Sequence, residues 1–347
     1  MSGRQTGRNQ IVIGDALTRL KQLPDASTDC VVTSPPYFRL RDYDAHGQIG
    51  LESHVDQWVD HLVAISEQVR RVLVPTGTFW LNVGDTYSSH PSQGAPRKSL
   101  LMAPERLALR LQQDGWLIRN KIVWAKPNPV PTSVRDRLNC SYEVIYVLTK
   151  QPRYFFDLDA VRVPLRSARR SPQPAQAEKA ETAAREAWRG PNGMAATGLE
   201  VLKAEGRTGH PLGKNPGDVW TITPGGHRGA HHAIFPLRLA ERMVAAACPE
   251  ARCTRCRRPW TRKVIRALGG TATRAALAPT CDCAAEQEPG LVLDPFMGSG
   301  TTAIAAENLN RDWSGIELNP DFAAAARNRI AAARRSPALF PPKRSAA

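Results

Sequence analysis

The chain has 347 residues, enough to bury a substantial core as one large domain or two ordinary ones. It contains 47 lysine and arginine residues against 32 aspartate and glutamate residues, so its formal net charge is +15. This excess favours a polyanionic partner, although a merely soluble basic surface has the same composition. The sequence lacks both an apolar run of the roughly 18 to 20 residues that a membrane span needs and the apolar core of a signal peptide. We therefore expect a cytoplasmic protein that is not embedded in a membrane.

The first half of the chain alternates strand patterns with helix patterns. Strands are predicted at residues 11–15, 30–37, 77–85, 117–126 and 142–150, and helices at residues 16–23, 58–73 and 103–116. The second strand pattern, CVVTSPPY, must end at its two prolines, because proline has no backbone N–H and fixes its φ angle. Strands that alternate with helices indicate an α/β protein with a doubly wound, mostly parallel sheet.

The second half of the chain begins with an irregular segment and then returns to the same alternation. Residues 166–198 are rich in Ala, Pro, Arg and Glu without strand periodicity, which predicts a mobile or partly helical insertion. Helical spacing resumes at residues 234–248. Residues 291–322 then predict a buried strand ending at Asp294, a tight glycine loop, a helix, and a second strand ending near Glu317.

The glycine loop PFMGSG favours a ligand at the carboxyl end of the strand that precedes it. Glu317 follows Gly298 by 19 positions, a separation at which an acidic side chain can accept hydrogen bonds from ribose hydroxyls. A dinucleotide fingerprint needs a third glycine where Ala303 stands, and a phosphate-binding P-loop needs a lysine that the loop lacks. An adenosyl ligand without phosphates therefore fits best, with S-adenosylmethionine as the natural candidate. An ordinary glycine turn is the alternative.

Two motifs together carry a family resemblance. Residues 33–37 (TSPPY) and 294–302 (DPFMGSGTT) resemble the motifs of the amino DNA methyltransferases, and their order in the chain resembles the beta group of that family. The Ser-Pro-Pro-Tyr form is similar to the N4-cytosine members rather than to the Asp-Pro-Pro-Tyr form common among N6-adenine members. Residues 231–244 resemble the helix that precedes the cofactor strand. The resemblance covers nearly all of residues 10–330 and implies a Rossmann-like methyltransferase sheet.

The resemblance also implies which residues contact S-adenosylmethionine. Glu317 would hold the ribose, and Asp15 would approach the adenine amino group. The remaining residues implied around the cofactor are Asp294, Phe296, Gly298, Gly300, Thr301 and Thr302, with His232, Phe235 and Pro236 on the amino-acid side. For Asp15 the alternative is the N-cap of the helix that follows it.

The tetrapeptide Ser34-Pro35-Pro36-Tyr37 has a chemical interpretation as the catalytic loop. An exocyclic amine conjugated with a pyrimidine is a poor nucleophile, because its lone pair is delocalised. The Ser34 side chain and a main-chain carbonyl near Pro35 could accept both amino hydrogens, in a geometry that the prolines fix in advance. The target base must leave the duplex to reach the loop, where Tyr37 could stack on it. We expect direct in-line methyl transfer; a Pro-Pro loop stop with a packed tyrosine is the alternative.

Four of the seven cysteines lie close together in the sequence. Cys253 and Cys256 have the CxxC spacing of a structural zinc knuckle, and Cys281 and Cys283 supply a second pair after 24 intervening residues. The tighter CxC spacing of the second pair makes the signal less specific. The sequence predicts a structural zinc site, with free or incidental thiols as the alternative.

The leading hypothesis is a site-specific methyltransferase that modifies the N4 amine of cytosine in duplex DNA. It would act as a monomer or homodimer and form the modification half of a restriction system, whose cognate endonuclease would act separately. The expected domains are a catalytic half at 10–150, a target-recognition region at 151–230, a cofactor-binding half at 231–330 and, within that half, a zinc-binding insertion at 249–289. The alternatives are N6-adenine methylation, an inert zinc-containing DNA-binding protein, and an RNA or protein amine as substrate.

Overall fold

The computed structural model describes residues 7–164, 210–225, 235–266 and 272–335. These residues fall into two compact units, the first within Met1–Ala160, Gly217–Lys263 and Ala276–Ala347, and the second within Val161–Pro216 and Val264–Ala275. The predicted insertion at 166–198 lies outside the described residues. The four expected domain ranges remain a prediction.

Eight strands form the main sheet, in the order β1-β12-β11-β2-β3-β5-β4-β6. Their bounds are β1 Gln10–Ile13, β2 Thr28–Thr33, β3 Leu73–Val83, β4 Leu117–Ala125, β5 Tyr142–Thr149, β6 Val219–Thr221, β11 Leu291–Asp294 and β12 Asp312–Glu317. Two further sheets have two strands each. One pairs β7 Ala251–Cys253 with β10 Gln287–Pro289, and the other pairs β8 Thr261–Arg266 with β9 Ala272–Ala278.

The helices of the described residues are α1 Ala16–Gln22, α2 Val55–Val72, α3 Ala103–Gln113, α4 Leu158–Val161, α5 Leu237–Ala247, α6 Thr301–Asn308 and α7 Pro320–Arg335. The predicted helices and strands of the first half are all present, with shifted ends. The second helix begins at Val55 and passes directly into β3 after Val72, so β3 starts four residues before the predicted strand. Among the residues that the structure describes, no helix is long and apolar enough to span a membrane.

The sheet is mostly parallel, as the alternating pattern predicts, with one reversed strand. Strands β1, β12, β11, β2 and β3 pair in parallel, whereas β5 pairs antiparallel with both β3 and β4. The segment between β4 and β5, residues 126–141, contains no helix. A connection without a crossover helix returns the chain in the opposite direction, which explains the reversal.

The apolar face of α2 anchors the loop that follows β2. Val55, Trp58, Val59 and Leu62 are buried at helical spacing, and Trp58 is fully buried in the core. The Trp58 indole Nε1 donates a hydrogen bond of 2.9 Å to the carbonyl of Pro36. Packing of this helix therefore fixes the position of the Pro-Pro segment at the carboxyl edge of the sheet.

Candidate active site

A cavity of about 420 Å³ lies where the carboxyl ends of the central parallel strands meet. Ligands bind at this edge in open α/β sheets, and the volume is within the roughly 300–1,000 Å³ of small-molecule sites. Its wall brings together ten of the residues predicted from sequence: Asp15, Ser34, Pro35, Pro36, Tyr37, Phe235, Phe296, Gly298, Thr301 and Glu317. The predicted catalytic loop and much of the predicted cofactor loop therefore line one cavity.

Four predicted residues lie behind the wall or beside it. Asp294, Gly300, Thr302 and Pro236 are not among the residues that line the cavity, and His232 is outside the described residues. The φ angle of Gly300 is +78°, and a Cβ there would lie 3.0 Å from Ile330 Cδ1, so the turn into α6 requires glycine. Gly300 therefore shapes the glycine loop from outside the cavity.

Asp294 connects the glycine loop, residues 295–300, to the segment that leads into the Ser-Pro-Pro-Tyr loop, residues 34–37. Its carboxylate is 1% exposed, and Oδ1 accepts hydrogen bonds from Thr33 Oγ1 at 2.5 Å and from the Phe296 backbone N–H at 3.0 Å. Oδ2 accepts a bond of 2.6 Å from Thr302 Oγ1. Burial raises the pKa of Asp294 to about 6, against these hydrogen bonds, which lower it. Because Thr33 immediately precedes Ser34, Asp294 sets the spacing between the two loops.

Glu317 is the last residue of β12, and both of its carboxylate oxygens accept hydrogen bonds from backbone N–H groups. Oε2 accepts a bond of 2.7 Å from the Gly298 N–H, and Oε1 accepts one of 2.9 Å from the Asn319 N–H. Burial raises the pKa of Glu317, while the backbone donors lower it. The residue holds the glycine loop in place and faces the cavity at the position predicted for a ribose contact.

Asp15 lines the cavity and also caps α1. Its Oδ1 accepts hydrogen bonds from the Thr18 backbone N–H at 2.8 Å and from Thr18 Oγ1 at 2.7 Å. The N-cap alternative raised by the sequence is therefore present in the structure. A contact between Asp15 and an adenine amino group stays a prediction, and it is compatible with the cap because a carboxylate accepts several hydrogen bonds.

A network of four side chains surrounds Ser34 at the other end of the cavity. Ser34 Oγ lies 3.0 Å from the Tyr37 hydroxyl, and that hydroxyl donates a bond of 2.5 Å to Glu143 Oε2. Asn82 Nδ2 lies 2.8 Å from both the Tyr37 hydroxyl and Glu143 Oε2 and 3.3 Å from Ser34 Oγ. The Lys126 ammonium donates to Glu143 Oε1. Strands β3 and β5, and the residue that follows β4, thus supply groups around the tetrapeptide.

The network leaves one acceptor open. Asn82 Oδ1 is buried, and it has no hydrogen-bond partner among the residues that the structure describes. The amide orientation follows from the carboxylate of Glu143, which can only accept when ionised, so the donating Nδ2 must face it. Asn82 lines the cavity beside Ser34, but Oδ1 itself has almost no accessible surface, so it is an orphaned acceptor within the wall.

Tyr37 is held as a protonated hydroxyl. Burial, and then the negative charge of Glu143, raise the pKa of Tyr37 well above its usual range. A Cβ on Gly84 would lie 2.7 Å from Tyr37 Cε2, so the absence of a side chain at Gly84 makes room for the ring. The hydroxyl therefore acts as a donor to Glu143 in the neutral pH range.

Sequence reasoning did not identify Asn82, Lys126 and Glu143. Asn82 had a detectable signal, since it is a polar residue within the apolar run FWLNV and is 1% exposed. Glu143 and Lys126 lie near the facing ends of β5 and β4, at a position that depends on the reversed strand. Their proximity to Ser34 follows from the strand order and not from any local pattern.

The four clustered cysteines come together as predicted from their spacing. Their sulfur atoms all lie within 4.8 Å of one another. Hydrogen bonds from the backbone of Cys256 and Arg255 lower the pKa of the Cys253 thiol to about 7, whereas the hydrogen bond with the Cys256 thiol and burial raise the pKa of Cys283. A tetrahedral ion with bonds of about 2.3 Å needs sulfurs about 3.8 Å apart, a slightly tighter arrangement of the same four groups.

The cysteine cluster is attached to β2 by a buried ion pair. Arg252, which precedes the first cysteine, is 2% exposed and donates a bond of 2.8 Å to Asp29 Oδ2 in β2. Its Nε donates a bond of 2.8 Å to Glu288. Burial raises the pKa of Asp29 to about 6, against the charge of Arg252, which lowers it. The cluster therefore belongs to the same packed unit as the strand that ends at Ser34.

Relatives of known type share most of this chain. The Type II methyltransferase M.SmaI of Serratia marcescens is 32% identical over 342 residues, which cover 92% of this chain and 90% of the relative. The Type II methyltransferase M.Cfr9I of Citrobacter freundii is 33% identical over 339 residues, which cover 91% of this chain and 86% of the relative.

Solved structures share the fold. The PvuII DNA methyltransferase, a cytosine-N4-specific enzyme, superposes with a TM-score of 0.55 and 18% identity, covering 94% of this chain and 90% of its own. The TTHA0409 protein of Thermus thermophilus in complex with S-adenosyl-L-methionine gives a TM-score of 0.51 and 24% identity, covering 95% of each chain. The N6/N4 DNA methylase family model matches residues 28–328. The chain therefore belongs to the N6/N4 DNA methylase family.

Proposed function

We propose that the protein transfers a methyl group from S-adenosylmethionine to the N4 amine of cytosine in duplex DNA. The observation that carries the choice of an amine is the cavity wall, where the hydroxyl of Ser34 offers an acceptor that Tyr37 and Asn82 hold in place. The Ser-Pro-Pro-Tyr form of the loop favours cytosine, and a fold relative whose name states cytosine-N4 specificity supports the same choice.

The cavity has the groups that S-adenosylmethionine needs. The carboxylate of Glu317 lines the cavity and would accept hydrogen bonds from the ribose hydroxyls, and Phe296 and Phe235 offer apolar surface. The cofactor carries positive charge on its sulfonium and amino groups, and the carboxylates of Asp15 and Glu317 in the wall favour a cation. When bound there, the cofactor would supply an electrophilic methyl group.

Ser34 and its neighbours would prepare the amine. Hydrogen bonds from the amino group to Ser34 Oγ and to the Pro35 carbonyl favour the pyramidal amine with a localised lone pair. The Pro36 carbonyl accepts from the Trp58 indole, which engages one of its two lone pairs. The prolines and the Trp58 contact hold the acceptors in place before the base arrives.

Glu143 would receive the proton that methyl transfer releases. When the new nitrogen–carbon bond forms and the carbon–sulfur bond breaks, the positive charge passes to the amine, which must then lose a proton. Ser34 Oγ, the Tyr37 hydroxyl and Glu143 Oε2 form an O–H chain with separations of 3.0 and 2.5 Å. The proton can pass along this chain to the carboxylate, next to the ammonium of Lys126.

The target base would enter the cavity by leaving the duplex. A base that is paired and stacked cannot present its amino group to acceptors inside a cavity, so it must rotate out of the helix. The Tyr37 ring is the aromatic surface beside Ser34 on which the base could stack. Since the named relatives are Type II methyltransferases, we place the protein in a restriction–modification system, with a separate endonuclease as partner and a monomer or homodimer as the active form.

The decisive experiment combines product identification with site mapping. The purified protein is incubated with unmethylated bacterial DNA and methyl-labelled S-adenosylmethionine, and the DNA is digested to nucleosides for mass spectrometry. Label in N4-methylcytosine supports the proposal. Label in N6-methyladenine would show that adenine N6, and not cytosine N4, is the methylated position, and no label in DNA would overturn the function. Sequencing of the modified positions then gives the target site. The same assay on RNA tests the remaining substrate class.

We further propose that Cys253, Cys256, Cys281 and Cys283 hold a structural zinc ion. The Cys253→Ser variant should lose the metal and unfold at a lower temperature, because removal of one thiolate opens the tetrahedral shell. Elemental analysis measures zinc per chain, and calorimetry measures the melting temperature. Cys140→Ser, a change at an exposed cysteine outside the cluster, is the matched control. Equal zinc content in both variants and the wild type would remove the zinc assignment.

A further inference from the structure

The loop between β4 and β5, residues 126–141, exposes apolar side chains to an unusual degree. Leu138 is 90% exposed and Val130 is 86% exposed, the two highest values among the large hydrophobic residues that the structure describes. Each such side chain in water lacks the stabilisation that its burial would give. Two of them on one short segment indicate a surface that meets a partner.

Three contacts restrain this loop. Asn139 Nδ2 donates a bond of 3.0 Å to the Val130 carbonyl, which ties the two arms of the loop together. The guanidinium of Arg137, next to Leu138, lies 3.8 Å from the centre of the Tyr87 ring. Asp136 pairs with Lys98 at 2.7 Å. The exposed leucine is therefore presented by a loop that is fixed on both sides.

The loop lies at the cavity that holds Ser34. Asn128, Pro129, Val130 and Cys140 line that cavity, so Val130 is at its margin, and Leu138 precedes Cys140 by two residues. Lys126, Arg135 and Arg137 give the loop three positive charges against the single negative charge of Asp136. Positively charged side chains can contact the phosphates of duplex DNA, and the exposed apolar side chains beside them can contact its stacked bases.

We propose that Leu138, assisted by Val130, enters the base stack and fills the space that the target base leaves when it rotates into the cavity. The inference rests on the proposed function, because it requires a base that leaves the duplex. Unpairing and unstacking one base costs a few kcal/mol, and an apolar wedge that replaces the lost stacking offsets part of that cost. Leu138 is thus a residue that favours base rotation and takes no part in methyl transfer.

The experiment uses a duplex with the target site found by sequencing the modified DNA. The base next to the target is replaced by 2-aminopurine paired with thymine, which brightens when the target base leaves the stack. The wild type, Leu138→Ala, and Leu138→Ala with Val130→Ala are compared. Leu109→Ala is the matched control, because Leu109 is an exposed leucine (60%) on α3. We expect the fluorescence gain to fall about tenfold in the Leu138 variant, further in the double variant, and not in the control.

A second measurement separates the wedge from general DNA binding. Methyl transfer is measured on the natural duplex and on a duplex whose target base is mispaired, since a mispaired base leaves the helix more easily. Leu138→Ala should lose about tenfold in kcat/KM on the natural duplex and recover most of it on the mispaired one. An unchanged fluorescence gain, or an equal loss on both duplexes, overturns the wedge while methyl transfer by the wild type still supports the function. A wild type that transfers no methyl group overturns the function itself.

Discussion

The two ends of the cavity are built in different ways. At the cofactor end, the carboxylates of Asp294 and Glu317 accept hydrogen bonds from backbone N–H groups and from threonine hydroxyls. At the catalytic end, Ser34, Tyr37 and Glu143 bond to one another through side chains. The first end is thus fixed by backbone donors and threonine hydroxyls, and the second by side chains that can exchange a proton.

This difference assigns separate tasks to the two ends. Buried acceptors that are already satisfied by the backbone hold a shape and cannot rearrange without breaking the loop. A side-chain network that includes an ionised carboxylate and its lysine partner can take up charge as a reaction proceeds. We therefore expect changes at the catalytic end to alter turnover, and changes at the cofactor end to alter cofactor binding and stability.

The largest effect should follow from removal of the hydroxyl at the catalytic end. Ser34→Ala takes away an acceptor for the amine and the first oxygen of the proton chain, so kcat should fall roughly 10²- to 10³-fold. The dissociation constant for S-adenosylmethionine, measured by calorimetry, should stay within about twofold because the cofactor end is intact.

A buried serine away from the cavity provides the control for this change. Ser66 is 3% exposed in α2, and its hydroxyl bonds to the Leu62 carbonyl. Ser66→Ala should cost stability without lowering kcat. If Ser34→Ala instead weakens cofactor binding and leaves kcat unchanged, the division between the two ends is wrong.

A smaller effect should follow from neutralising the carboxylate of the network. Glu143→Gln keeps the shape but removes the charge next to Lys126 and the final proton acceptor, so kcat should fall about tenfold with little change in KM for the cofactor. The solvent deuterium isotope effect on kcat should also change, which a merely structural role would not produce. Glu105→Gln, which removes the carboxylate of the more exposed Glu105–Lys121 pair, is the matched control. An unaltered isotope effect would show that Glu143 only positions Tyr37.

The same contrast explains what could be predicted from sequence. The cofactor end is nearly contiguous, so the strand, the glycine loop and Glu317 could be predicted from spacing alone. Ser34 was found because it ends the strand before two prolines. The contact of Glu143 with Tyr37 could not be found, because it depends on β5 lying antiparallel beside β3. Strand order is set by packing of the whole sheet, and local patterns do not contain it.

The strands and helix at the cofactor end were predicted from sequence, but the hydrogen bonds made there were not. The sequence placed Asp294 among the cofactor contacts, whereas in the structure its carboxylate accepts from Thr33, which is distant in the chain. That bond follows from the parallel pairing of β2 with β11. Asp294 thus links the two ends, and its effect on the cofactor stays a prediction.

The smallest effect concerns stability at the cofactor end and its dependence on pH. Burial raises the folded-state pKa of Asp294 to about 6, above the ordinary value of 3.8. Its contribution to stability is therefore fully present below pH about 4 and is lost as the pH rises through about 6. Between pH 5 and 7.5 the wild type should lose about 1 kcal/mol of unfolding free energy relative to Asp294→Asn, in which this position cannot ionise.

Urea titrations of the cofactor-free protein at several pH values measure this difference. Asp321→Asn, a change at an exposed carboxylate in the first turn of α7, shows what loss of a surface charge does under the same conditions. If the stability difference between wild type and Asp294→Asn does not vary with pH, the hydrogen bonds from Thr33 and Thr302 offset the cost of burial completely. The cofactor end would then hold a charge as easily as the catalytic end, and the contrast between them would rest on turnover alone.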